Sequence, residues 1–83
     1  MGDPVKLVWL DICEIPNASP GQVRPAVFKT DGFFVDRATL IINKKRHAFI
    51  RISDTYDIED GKFYGACAYP IGCVVSMKRR SSR

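Results

Sequence analysis

Two cysteines, Cys67 and Cys73, lie six positions apart on either side of a Tyr-Pro dipeptide, and their thiols could bind a metal or form a redox pair. A structural zinc site usually pairs cysteines about two to four residues apart. Only Cys13 and His47 could complete a four-ligand set here. Because free cysteine commonly behaves as a small buried hydrophobe, the pattern favours buried, unreactive thiols and no metal site.

Catalytic groups are equally sparse. The single histidine, His47, follows three cations and is expected to be a turn residue rather than a general base. The carboxylates of Asp54, Asp57, Glu59 and Asp60 lack the glycine and the closing glutamate of a calcium-binding loop. Phosphate-binding loops need several glycines, and no segment supplies them. We therefore predict that the protein is not an enzyme and needs no cofactor.

Size and charge limit the organisation of the chain. Its 83 residues allow one small domain, and the net charge is +4. Four cations fall in the last six residues, whereas residues 1–77 carry nine Lys or Arg against nine Asp or Glu. We predict a domain over 1–77 and a basic tail over 78–83. Within the domain the charges are segregated, because the cations 44–46 lie apart from the acidic stretch 54–60.

The amino end does not resemble a secretory signal. Asp3 stands where only positive charge is favoured, and the apolar run is interrupted by Lys6, Asp11 and Glu14. No apolar stretch is long enough to span a bilayer. An odd number of cysteines agrees with a reducing compartment. These features predict a cytoplasmic protein that does not contact a membrane.

Apolar residues alternate along most of the chain with the period of a β-strand. Val5, Leu7 and Trp9 share one side of a first strand, and Ala48, Ile50 and Ile52 are expected to face a core in a later one. Three prolines predict a long loop over 16–25. The remaining strands are expected within 26–30, 33–35, 39–43, 62–69 and 73–78.

Turn residues set the predicted hairpins. Asp31-Gly32 is typical of a tight hairpin turn, and the alternative is a bulge inside one bent strand. A second hairpin is expected to turn at Lys44 to Arg46. So many strands in so short a chain favour an all-β fold, a small SH3-like or Sm-like barrel of five to seven short strands, with the second hairpin projecting from one end.

Aromatic rings beside cations are the usual means of binding nucleotides. Phe33 and Phe34 are adjacent and Tyr64 and Tyr69 lie on opposite faces of a strand, so at least one ring of each pair is expected to reach solvent. The alternative is that these aromatics are core or half-exposed barrel residues. The residues predicted to line one ligand-binding groove are Lys44, Lys45, Arg46, His47, Arg51, Phe34, Tyr64 and Tyr69.

Three segments together resemble a group of short bacteriophage and prophage proteins that look like small Sm-like or SH3-like barrels. They are the Trp9 and Asp11 pair, the run 30–35 (TDGFFV) and the run 69–77 (YPIGCVVSM). The acidic stretch 54–60 and the basic end are not part of that pattern. The resemblance implies a phage accessory protein that acts in the host cytoplasm, either inhibiting a host enzyme or sequestering a nucleotide signal of host defence.

Two functions therefore remain open. In the first, a homo-oligomeric barrel captures an anionic ligand, a nucleotide or a single-stranded nucleic acid, through its cations and exposed rings. In the second, the domain is a stoichiometric inhibitor that docks on a host protein through its dipolar surface or an open sheet edge.

Overall fold

The computed structural model describes residues 2–11 and 19–80, and within them the fold is all-β, as predicted. Five strands are joined by turns and two short 3-10 helices, and no α-helix occurs in this part of the chain. The strands are β1 (Pro4–Asp11), β2 (Ala26–Ile42), β3 (Lys45–Asp57), β4 (Lys62–Pro70) and β5 (Val74–Arg79), with 3-10 helices at Pro20–Gln22 and Ile71–Cys73.

All five strands belong to one antiparallel sheet with the order β4-β3-β2-β1-β5. Within the described residues no ladder joins β4 to β5, so the sheet is open. The number of strands agrees with the prediction, but two of them are not short, since β2 has 17 residues and β3 has 13. The SH3-like or Sm-like barrel stays a prediction.

β2 runs without a turn through the dipeptide that predicted a hairpin. Asp31 and Gly32 both pair with β1 in regular register, so the hairpin prediction at this point is wrong. The alternative of one bent strand describes β2 better, although the irregularity lies further on, between Phe34 and Asp36. A bulge of this kind bends a strand and increases its twist.

Gly32 is explained by crowding rather than by a turn. A Cβ atom at this position would lie 2.6 Å from Cγ2 of Ile52 and 2.7 Å from the carbonyl oxygen of Ser53. Both neighbours are in β3 and both are buried. Glycine is therefore required because β2 and β3 approach each other closely here.

The core is small and draws on three strands. Its buried members are Val5, Leu7, Ile50, Ile52 and Tyr69. Alternation in β3 predicted Ile50 and Ile52 correctly, whereas Ala48 is only half-buried, and Val5 and Leu7 do share one side of β1 as predicted.

The sheet is curled. The ring of Trp9 in β1 lies 5.0 Å from that of Tyr69 in β4, although two strands separate β1 from β4 in the sheet order. The 3-10 helix Ile71–Cys73 alone connects the two edge strands. Curling brings distant strands face to face, so the sheet can bury apolar groups without a second layer.

The predicted boundary between domain and tail falls inside β5. Lys78 and Arg79 pair with β1, and the guanidinium of Arg79 lies 2.6 Å from the carboxylate of Asp3. The backbone N–H of Arg80 donates to the carbonyl of Pro4 at 2.8 Å. The rest of the predicted tail, 81–83, lies outside the described residues. No helix in the described part of the chain is both long and apolar enough to cross a membrane.

Candidate ligand surface on the β2–β3 arm

The end of the β2–β3 hairpin projects beyond its neighbours. Pairing of β1 with β2 ends at Phe33, and pairing of β4 with β3 begins at Phe49. Residues 39–48 therefore form a two-stranded ribbon with no neighbouring strand on either side among the described residues, and we call this ribbon the arm. Its backbone edges and both its faces are open to solvent.

Asn43 and Lys44 form the two-residue turn at the tip of the arm. Both have positive φ, 50° and 65° respectively, which is the backbone conformation of a tight type I′ turn. The turn was predicted at Lys44 to Arg46, one residue too late. Lys45 and Arg46 instead begin β3, so strand geometry fixes the side of the arm to which each one points.

The predicted cations divide between the two faces of the arm. Lys45 pairs with Ile42 and His47 with Leu40, and directly opposed residues of an antiparallel pair share a face. Arg46 pairs with Ile41 and points to the other side. Successive residues of a strand alternate, so Arg51 lies on the same face as Lys45 and His47. We call this the outer face.

An apolar depression lies at the base of the arm. Its volume is about 210 Å³, and it is lined by Leu40, His47, Ala48, Phe49, Ala68 and Pro70. Most of these residues belong to the outer face, so the depression lies beside the cations of the arm. Phe49 was not among the predicted residues, because the alternation in β3 assigns Ala48 and Ile50, its two neighbours, to the core and leaves Phe49 on the outer side.

Arg51 is held by contacts within the chain. Its guanidinium lies 2.7 Å from one carboxylate oxygen of Asp36 and 5.1 Å from the centre of the Phe49 ring. The other carboxylate oxygen of Asp36 is buried with no hydrogen-bond partner. Arg51 thus positions the ring at the edge of the depression, and its side chain is still 42% exposed.

The predicted aromatic residues do not join the arm. Phe34 packs against the core, and Tyr69 is buried within it. Tyr64 is exposed but pairs with Thr55, eight residues beyond His47 along β3, which is about 26 Å of strand. The arm, Arg51 and the predicted rings therefore do not line one groove. Their roles in ligand binding stay predictions.

Tyr69 belongs to a buried polar group at the centre of the curl. Burial raises the pKa of its phenol, and the neighbouring Cys67 thiol raises it further, while a hydrogen bond with Thr30 opposes the shift. Thr30 also accepts a 2.9 Å hydrogen bond from the indole N–H of Trp9. These contacts indicate that the hydroxyl of Tyr69 has a structural role.

Cys67 is exposed, so the prediction of buried thiols is wrong for this residue. It lies opposite Ile52 on the concave side of the sheet, but there it borders an open groove of about 410 Å³. Cys73 lines the same groove and is half-buried, and neither thiol is in a disulfide. Cys13 lies outside the described residues. Within the described part of the chain, no three potential metal ligands cluster.

The acidic stretch covers the end of β3 and the turn that joins it to β4, at the other end of β3 from the arm. Asp57 accepts a 2.8 Å hydrogen bond from the backbone N–H of Glu59, and Asp60 accepts one of 2.8 Å from that of Lys62. The hydroxyl of Tyr64 donates to Asp60 at 2.9 Å. These carboxylates stabilise the turn, as Asp commonly does.

Within residues 2–11 and 19–80, no ion pair neutralises the charged side chains at either end of β3. The two pairs present are Arg51 with Asp36 and Arg79 with Asp3. Neither involves a cation of the arm or a carboxylate of the β3–β4 turn.

Comparison with protein-family models, with curated proteins and with solved structures finds no match to this chain.

Proposed function

We propose that the protein is a non-catalytic binding protein whose arm captures a single-stranded nucleic acid. The observation that carries this proposal is the arm itself: Lys44, Lys45 and Arg46 are exposed and form no ion pair among the described residues, and an apolar depression lies on the same face as Lys45. Phosphates would meet the cations, and a base would enter the depression.

The charge of the arm favours a polyanion. Residues 39–48 contain three Lys or Arg and no Asp or Glu. A cation that contacts a phosphate releases condensed counterions, and for single strands this steepens the dependence of log K on log salt by about 0.7 per contact. Three such contacts would give a slope of about −2, which is enough to make binding strongly salt-dependent.

The shape of the arm favours a strand over a mononucleotide. A small ligand needs a pocket that covers most of its surface, and such pockets usually exceed about 300 Å³. The depression at about 210 Å³ is shallow and open, which suits one base of a longer strand. Stacking on a ring such as Phe49 contributes about 1 to 3 kcal/mol per base.

A further part of the proposal is that the chain is a phage accessory protein and that its curled sheet is a small SH3-like or Sm-like barrel, and the fold bears only on the barrel. In favour are the strand order, with β5 beside β1, and the single 3-10 helix Ile71–Cys73 between the edge strands. Its three residues bridge at most about 14 Å from Pro70 to Val74, so the two edges must lie near each other at that end.

A second candidate, docking on a host protein, is favoured by the aliphatic side chains of the arm. Leu40, Ile41 and Ile42 are 51%, 67% and 49% exposed. Three consecutive exposed aliphatic residues are more than a nucleic-acid surface needs, and contiguous exposed apolar groups commonly mark protein contacts. In that case the arm would bind a protein groove or sheet edge.

Fluorescence anisotropy with a labelled oligo(dT) tests the proposal, because binding is measured as a function of salt. Lys45→Ala/Arg46→Ala should reduce the salt slope by about 1.4, since two phosphate contacts are lost. Arg24→Ala/Lys29→Ala removes the same charge from the exposed start of β2 and should change the slope little. Equal effects of the two variants would contradict a site on the arm.

Two further measurements separate the alternatives. A melting-temperature rise with a mononucleotide but none with the oligonucleotide would favour a nucleotide signal as the ligand. No binding of either, together with capture of one stoichiometric host protein that Leu40→Ser/Ile42→Ser releases, would favour the inhibitor.

A further inference from the structure

The two ends of β3 carry opposite charge and exposed apolar groups. The arm presents its three unpaired cations with Leu40, Ile41 and Ile42. At the other end, the last residues of β3 and the β3–β4 turn carry four carboxylates between residues 54 and 60, two in the strand and two in the turn. Ile58 sits among them and is 85% exposed.

These two surfaces cannot meet within one molecule. β3 separates them by 12 residues, which is about 40 Å of strand. The longest dimension of the molecule, 51 Å, agrees with this separation. Within the described part of the monomer, the charges of both surfaces therefore form no ion pair.

We propose that the arm of one copy docks on the β3–β4 turn of a second copy. The cations of the arm would face the carboxylates of the turn, and Ile58 would pack against the aliphatic side chains of the arm. Complementary charge of this kind sets orientation and suppresses other pairings. A symmetric pairing of two arms would instead place like charges together.

The contact joins two different surfaces, so it can form twice in a two-fold dimer, or once between successive copies of a ring or an open filament. The arm contributes ten residues (39–48) and the acidic stretch seven (54–60), so the interface is small and association should be weak and reversible. This inference is independent of the proposed function, because it requires only the free chain.

Sedimentation equilibrium of the protein without nucleic acid tests the inference. At low salt, between about 10 μM and about 1 mM, the average mass should rise above the 9.4 kDa of the monomer. Raising the ionic strength to about 1 M should weaken association, because exposed charges are then screened within about 3 Å. A monomer throughout this concentration range at low salt would overturn the proposal.

Charge reversal separates a head-to-tail contact from other association. Lys45→Glu/Arg46→Glu changes the arm, and Asp54→Asn/Glu59→Lys changes the turn. Each variant alone should associate at least about 10-fold more weakly than the wild type, because the arm variant brings like charges together and the turn variant loses most of the negative charge that attracts the arm. Circular dichroism checks that both variants fold.

Mixing the two variants gives the decisive result. Each retains one unchanged surface, so the mixture should recover association as a complex containing both chains. Arg24→Glu/Lys29→Glu is the matched control, since it alters net charge as much as the arm variant but should associate like the wild type. Loss of association in this control, or a mixture that stays monomeric, would show that a specific contact between arm and turn does not exist.

Discussion

Gly32 offers a sharp test of how β2 and β3 pack. Replacing it with alanine places a methyl group 2.6 Å from Cγ2 of Ile52 and 2.7 Å from the carbonyl oxygen of Ser53. Ordinary carbon contacts lie at about 3.5 to 4.0 Å, so each contact is about 1 Å too short. Neither neighbour can yield easily, because Ile52 is buried and the carbonyl belongs to the backbone of β3.

The expected cost follows from two opposing effects. Overpacking a buried site costs about 1 to 3 kcal/mol. Replacing glycine with alanine also restricts the backbone of the unfolded chain, and this effect alone raises the free energy of unfolding by about 0.4 to 1 kcal/mol. We therefore expect Gly32→Ala to lower the free energy of unfolding by about 1 to 2 kcal/mol, out of a total of roughly 4 to 12 kcal/mol for a chain of this length.

Urea unfolding followed by the fluorescence of Trp9, the single tryptophan, measures this change. Gly72→Ala is the matched control, because a Cβ atom there meets nothing within 4 Å and its φ is not positive. Gly32→Asn distinguishes the two interpretations of the dipeptide, since a hairpin turn tolerates asparagine whereas a crowded strand should suffer more than with alanine. A Gly32→Ala protein as stable as the control would refute the close approach.

Other expected outcomes concern the core, the thiols, the phenol and the arm. Leu7→Ala should lower the free energy of unfolding by about 2 to 5 kcal/mol in urea, whereas Met77→Ala, directly across the strand pair but exposed, should cost much less. Cys67 should react with a thiol reagent in the native protein, and Cys67→Ser should abolish the fastest labelling. Because folding raises the pKa of Tyr69 above its usual 10.0, the folded state retains the proton when the unfolded chain has lost it. The contribution of Tyr69 to stability should thus be constant below pH 10.0 and fall above it, and Tyr69→Phe should reduce the slope there. If the arm binds both nucleic acid and a neighbour, an excess of oligo(dT) should return the assembly to monomers, and unchanged sedimentation would show that the two sites differ.

The part of the fold that the sequence predicted is the part encoded locally. Alternation predicted the burial of Ile50 and Ile52 and placed Val5 and Leu7 on one side of a strand, because a half-buried strand shows its period whatever its partners are. Charge segregation likewise indicated a basic hairpin and an acidic turn. Which strands pair does not follow from either pattern.

The errors arise where one local signal fits two structures. Asp-Gly suits a tight turn, and the same glycine suits a crowded strand, so only the position of Ile52 decides between them at Gly32. Cys67 lies on the concave side, but its exposure depends on how far the sheet curls. For the candidate site, the cations were found from their sequence, whereas Phe49 and its depression depend on the register with β2 and β4.

The pairing of β5 with β1 also sets an order of events during synthesis. Val5 lies opposite Arg79, and β5 has no other neighbour in the sheet. On the ribosome, one edge of β1 would therefore stay unpaired until β5 had been synthesised, after all the other strands. Contacts so remote in sequence form slowly, and an interrupted nascent chain would offer the edge beside Leu7 to any strand nearby.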